Sequence, residues 1–186
     1  ELDQEPTGEP FPVRELGRGY ARVVREVEAP GSLHATLENA LDVPHTAFLH
    51  RGLFRGAKKK NEIRATLRRS PDRVEVEYAG EPRPTGVVGF LLSPSGGTVE
   101  HWDRFILPSV GEVEYRLGKE SHFLVTALAT PVTDFVTKIF AVAQFRSPIP
   151  NFILRPILEP VALSIFAQDA EILRAQAETV RAFGGE

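Results

Sequence analysis

Apolar and polar residues alternate with period two over most of the chain, and the spacing turns helical near the two ends. Residues 19–28, GYARVVREVE, mix β-branched and polar positions as a first strand does, and Pro30-Gly31 stops it. Ser32 is then placed to cap a helix. From Leu33 to His50 the apolar residues Leu33, Leu37, Leu41 and Phe48 follow a helical spacing that Pro44 interrupts. NEIRATLRR and DRVEVEY, separated by Ser70-Pro71, predict a hairpin with Val74, Val76 and Tyr78 on one side and Glu75 and Glu77 on the other. GVVGFLL, TVEHWDRFIL, GEVEYRLG, ESHFLVTALATPV and TDFVTKIFAVAQF continue the pattern, with SPSGG, PSVG, GKE and the residues around Thr133-Asp134 as breaks. The expectation is a strongly bent antiparallel sheet of about seven or eight strands. A last helix is expected to start at Pro160, with Val161, Ile165, Ile172, Leu173 and Val180 on its apolar positions.

Size and composition narrow this without changing it. A chain of 186 residues, 42% hydrophobic and 25% charged, fits one domain with a sizeable core. Its formal net charge of -3 gives no basis for nucleic-acid binding, and Lys58-Lys59-Lys60 is read as a solvated loop. No run approaches the roughly 18 apolar residues of a membrane span, and ELDQEPTGEPFP lacks the layout of a signal peptide, so a cytoplasmic protein is expected. Cysteine is absent, which excludes disulfides, thiol nucleophiles and an iron–sulfur cluster held within these residues. The chain starts at Glu1, and residues 1–17 are expected to be a linker ahead of one domain at 18–186.

Candidate chemistry concentrates in residues 38–50, ENALDVPHTAFLH, which place Asp42, His45 and His50 among apolar neighbours. On a helix advancing about 100° per residue, the Asp42 carboxylate can lie beside the His45 imidazole and orient it. His50 would be swung away unless the helix deforms, for which Pro44 is at hand. The residues alone leave two readings open: surface or capping histidines, or two donors of a metal site. Two histidines and one carboxylate on one face of the metal are the ligands of non-heme iron(II) oxygen enzymes, and the carboxylate would have to come from elsewhere.

The same segment resembles the E-N-x-x-D-x-x-H-x-x-x-x-H motif of the catalytic domain of Rieske-type non-heme iron oxygenases. FAQDAEIL, residues 166–173, is similar to the segment that carries this family's acidic iron ligand. The resemblance spans about residues 20–176. It implies that His45, His50 and Asp169 bind a mononuclear Fe(II), that Asp42 is the bridging aspartate that hydrogen-bonds a ligand histidine, and that Asn39 lies near the iron without ligating it. Gln168 and Glu171 are expected to project away from Asp169. The fold implied is α+β, a helix-grip, START-like (Bet v 1-like) curved sheet with a long C-terminal helix. A Rieske [2Fe-2S] cluster is expected only in a missing N-terminal domain, so the chain is expected to be an excised catalytic half that binds iron but does not turn over repeatedly.

The activity implied is hydroxylation, demethylation or desaturation of an apolar or aromatic small molecule with dioxygen. Electrons would come from the Rieske domain, a reductase or a ferredoxin, within a homotrimer. Phe90, Phe105, Phe135 and Phe140 are cavity candidates for each of which sheet core is the better reading, and His101 and His122 read as surface or satisfied core histidines. Two other classes share the pattern: a metal-free ligand-binding module of the same fold, and a zinc hydrolase.

Overall fold

A computed structural model describes residues 9–50, 62–82 and 97–184. Seven strands among them form one antiparallel sheet: β1 (Ala21–Ala29), β2 (Arg64–Arg69), β3 (Arg73–Ala79), β4 (Val99–Ile106), β5 (Val110–Leu117), β6 (Ser121–Thr133) and β7 (Val136–Arg146). Their order is β1-β7-β6-β5-β4-β3-β2, so six strands follow in sequence as a meander and β1 closes the far edge against β7. GVVGFLL and the triple lysine lie outside the described residues.

Period two gives the sheet two unlike faces. Cross-strand partners share a face, and Gly111 identifies the helix side, because a Cβ there would meet Leu37 and Leu41 at 3.6 and 3.7 Å. Phe123, Phe145, Ala21 and Val23 lie on that side around Leu154. Both sheet edges are charged. β2 is exposed along its whole length and carries Arg64, Arg68 and Arg69, a protection against pairing with another sheet.

Ser32 caps α1 (Leu33–Leu41) by accepting from the Ala35 N–H at 3.2 Å. The chain then breaks at Asp42, Val43 and Pro44 before the five-residue α2 (His45–Leu49). The deformation expected near Pro44 is therefore a clean break ahead of His45, and both histidines sit at the ends of α2. The last helix, α3 (Asn151–Phe183), starts nine residues before Pro160 and carries Pro156 and Pro160 inside it. Proline disfavours a helix interior. Here the fully buried Leu154 and its neighbour Leu158 pack against the sheet, and this apolar contact holds the early turns.

The helix-grip, START-like expectation is corrected. A gripped helix would bury a continuous stripe under the curve of the sheet. α3 packs mainly on α1 and the edge strand β1, and of its 33 residues only Leu154, Leu173 and Ala177 are buried. It is anchored near its start by Leu154 and later by Leu173, which lies 3.2 Å from where a Gly31 Cβ would be. That second anchor sets the height of Asp169, one turn earlier, over α1 and α2.

The phenylalanine candidates separate. Phe105 pairs with Gly111 and so lies on the helix side, whereas Phe140 is exposed on the opposite face. Phe135 lies under the Arg181 guanidinium at 4.3 Å from its ring centre, and Phe90 is outside the described residues. His101 and His122 are both buried and bonded. His101 stacks between Tyr115 and Tyr78, with ring centres 3.9 and 4.7 Å away, and lies 2.8 Å from Asp103 and 3.2 Å from Glu81.

Candidate metal centre

His45, at the start of α2, and His50, just past its end, are five residues apart. On a regular helix they would point about 140° apart. They meet because His50 leaves helical geometry, at φ -101 and ψ 43. The two Nε2 atoms are 3.2 Å apart, and the rings meet edge to face at 80°. From α3, Asp169 directs Oδ1 to 3.5 Å from His45 Nε2 and 3.2 Å from His50 Nε2. These are the only His, Asp or Glu side chains among the described residues close enough together to hold a metal ion. Glu171 is exposed, as its helical phase predicts.

The far nitrogen of each ring faces an acceptor. His45 Nδ1 is bonded to the backbone carbonyl of Asp42, and His50 Nδ1 is 2.7 Å from Gln168 Oε1. With hydrogens on both Nδ1 atoms, the neutral rings present lone pairs at Nε2. Two nitrogen lone pairs and a carboxylate oxygen therefore converge on one point. Asp169 Oδ1 is buried, yet among the described residues it has no hydrogen-bond partner. An anionic oxygen left so is costly, and a cation equidistant from the three atoms resolves it. Three donors about 2.1 Å from one ion would stand roughly 3.0–3.4 Å apart, close to the observed 3.2, 3.2 and 3.5 Å.

Burial acts against charging His45, but the Asp169 carboxylate, the Asp42 carbonyl and the charges of both acids outweigh it, so its pKa is raised. A proton is thus the competitor of a metal at this ring.

Asp42 does not stand as the helical phase suggests. Its carbonyl rather than its carboxylate meets His45, because α1 ends at Leu41 and Asp42 takes extended geometry, at φ -84 and ψ 94. Its exposed side chain, with half-buried Asn39, lines an open cleft shared with Ala35, Glu38, Leu41 and Gln176. The charge of Asp42 still reaches Tyr78, whose pKa is pushed up to about 12 by burial first and then by Asp103, Glu81 and Asp42. Gln168 is the residue that sequence reasoning misplaced. A rotation of about 100° from Asp169 separates the two side chains, but the target is a ring with nitrogens on two sides, and each residue reaches a different one. The signal available was an amide directly before the candidate carboxylate, in Gln168-Asp169.

Fold and site together define a single-metal domain with two histidines and one carboxylate, from a short broken helix and the last helix. The chain belongs to the vanillate O-demethylase oxygenase C-terminal domain family, whose model matches residues 31–184. No curated protein matches it. Among solved structures it is similar to dicamba monooxygenase bound to 3,6-dichlorosalicylic acid, with a TM-score of 0.73 and 15% identity over 91% of this chain and 54% of that one. It is also similar to NdmA of Pseudomonas putida CBB5 with caffeine (TM-score 0.66, 18% identity, 90% and 46% covered). The quaternary ammonium Rieske monooxygenase CntA is a third (0.60, 10%, 88% and 40%). The fold is the one shared with these oxygenases, which is the finding that replaces the helix-grip assignment. The chain spans about half the length of the solved relatives it matches. No described helix is long and apolar enough to cross a membrane.

Proposed function

We propose that this chain is the catalytic part of a non-heme iron oxygenase, in which His45, His50 and Asp169 hold Fe(II) and the substrate is a small apolar or aromatic molecule. The observation that carries the reading is the orphaned, buried Asp169 Oδ1 facing two imidazole lone pairs at 3.2 and 3.5 Å. Iron bound there would supply dioxygen activation, with three protein donors leaving its other positions open. The protein's own part is orientation. The Asp42 carbonyl and Gln168 fix the rings, and α3 brings in the carboxylate.

The family's description as an O-demethylase oxygenase supports demethylation over hydroxylation or desaturation. Dicamba and caffeine, the small ring molecules bound in two of the similar structures, support an aromatic or heteroaromatic substrate. Electrons would come from a Rieske [2Fe-2S] domain beyond these 186 residues, fed by a reductase or ferredoxin. In a ring-shaped trimer, the cleft at Asn39 and Asp42 would face the electron donor of a neighbouring subunit.

Metal analysis of protein purified without air tests this. About one iron per chain, lost in His45→Ala and His50→Ala, is expected. Zinc in its place would indicate a hydrolase, and no metal a binding module; either result overturns the proposal. Asp42→Asn is expected to keep the iron and to slow electron delivery in the intact protein.

A further inference from the structure

We propose that Gln168 is a positioning residue for the metal, holding His50 in the one tautomer and orientation that can bind it. The proposal deepens the iron-site reading and rests on it. The two histidines are held by unlike means. His45 is fixed through the backbone carbonyl of Asp42, which no side-chain substitution removes. His50 sits at the end of α2 in non-helical geometry, and its Nδ1–H donates to the Gln168 side-chain oxygen at 2.7 Å. An amide oxygen in that position keeps the proton on Nδ1 and so leaves Nε2 unprotonated, and it makes the ring a stronger donor.

Placement gives Gln168 a second consequence. Gln168 and Asp169 are successive residues of α3, so one helix presents both a ligand and the group that aims another ligand. His50 is buried, and its other tautomer, with the proton on Nε2, would offer Asp169 Oδ1 an N–H instead of converging with it as a lone pair. Gln168 makes that tautomer unfavourable, because its oxygen would then face a bare Nδ1. The histidine pair and the carboxylate are thereby set up for a cation before one arrives.

Gln168→Leu and Gln168→Glu separate this from simple packing. Leu keeps the bulk and removes the acceptor, while Glu keeps an acceptor oxygen. The measurements are Fe(II) affinity of the full chain by anaerobic chelator competition, the visible absorption of the Co(II)-loaded chain, and the urea midpoint of the metal-free chain. Gln168→Leu is expected to weaken Fe(II) binding roughly ten- to a hundredfold and to shift the Co(II) bands, with the urea midpoint unchanged. Gln168→Glu should restore affinity to within a fewfold of the parent. A Leu variant with parental affinity and Co(II) bands, a loss that Glu does not recover, or a loss that follows the urea midpoint overturns the positioning role alone. Failure of the parent chain to take up Fe(II) or Co(II) overturns the iron-site reading, and the proposal with it.

Discussion

Asp169 and Glu114 are both carboxylates removed from water, and they are treated in opposite ways. Glu114, on the outer face of the sheet, is surrounded. Arg14 and Arg104 reach one oxygen at 2.8 and 2.7 Å, and His122 Nε2 meets the other at 2.8 Å. Tyr20 in turn donates to His122 Nδ1 at 2.7 Å, and Gln144 accepts from Leu16 N–H and donates to the Arg14 carbonyl. That cluster closes on itself and straps residues 14–20 across the outer face. On the helix side, Asp169 faces two lone pairs and its inner oxygen is unsatisfied. A complete polar cluster is a structural one; among the described residues the other buried side-chain oxygens without a hydrogen bond are the neutral hydroxyls of Thr36 and Ser121, and the one anionic oxygen so left, facing two lone pairs, indicates a cation site.

The sharpest way to break this contrast is to remove each acid in turn and unfold the metal-free chain in urea. Glu114→Ala takes the shared carboxylate from the half-buried Arg104, which keeps Glu75 at 2.6 Å, and from the buried His122, and is expected to cost about 3 kcal/mol. Asp169→Ala removes an orphaned oxygen, and metal-free stability should stay level or rise while metal uptake is abolished. A large loss of metal-free stability in Asp169→Ala would mean that its carboxylate already has a partner.

Acid provides a second contrast of opposite sign. Burial would raise the Glu114 pKa, but Arg14, Arg104 and His122 override it and lower it from 4.5 to about 2. A carboxyl group lowered on folding contributes stability above its unfolded value and loses it as pH falls, so this cluster should weaken between about pH 5 and 2, by on the order of 3 kcal/mol. His122 adds an earlier loss. Burial, with help from Arg116 and Arg14, lowers its pKa despite Glu114, so the unfolded state gains protons first as pH falls through 6.5. His45 is shifted upward, and its contribution to the metal-free chain is present below 6.5 and fades as pH rises. Urea midpoints of the metal-free parent and Glu114→Gln from pH 7.5 to 3 should therefore converge in acid; parallel curves would contradict the ion-pair account.

Tyr20→Phe is the smallest test. It deletes one hydrogen bond of the strap, and the expected loss is about 1 kcal/mol by equilibrium unfolding, with Fe(II) affinity unchanged. A change in metal affinity would show that the two faces are coupled.

The sheet was legible in the sequence because alternation is a local signal. Six of its strands follow stretches marked by that alternation and by turn residues, and β1 is shifted by only one or two positions. The start of α3 was not legible. Pro160 reads locally as a helix start, and only burial of Leu154 against Phe145, a contact formed in the folded chain, extends the helix back to Asn151. At the site, the resemblance pointed to His45, His50 and Asp169, which the structure brings together. The groups that aim the rings could not be seen. One is a backbone carbonyl, which has no sequence identity, and the other is a glutamine whose helical phase argued against it.

The separation of 118 positions between His50 and its partner Gln168 sets an order of events. All of the sheet that follows α2 lies within that interval. A ribosome that has released the chain only as far as β7 has released both histidines and neither of the residues from α3. The donors come together only when the meander has paired and α3 has docked, which is a slow, long-range closure. Metal uptake at this site would therefore be a late event in biogenesis.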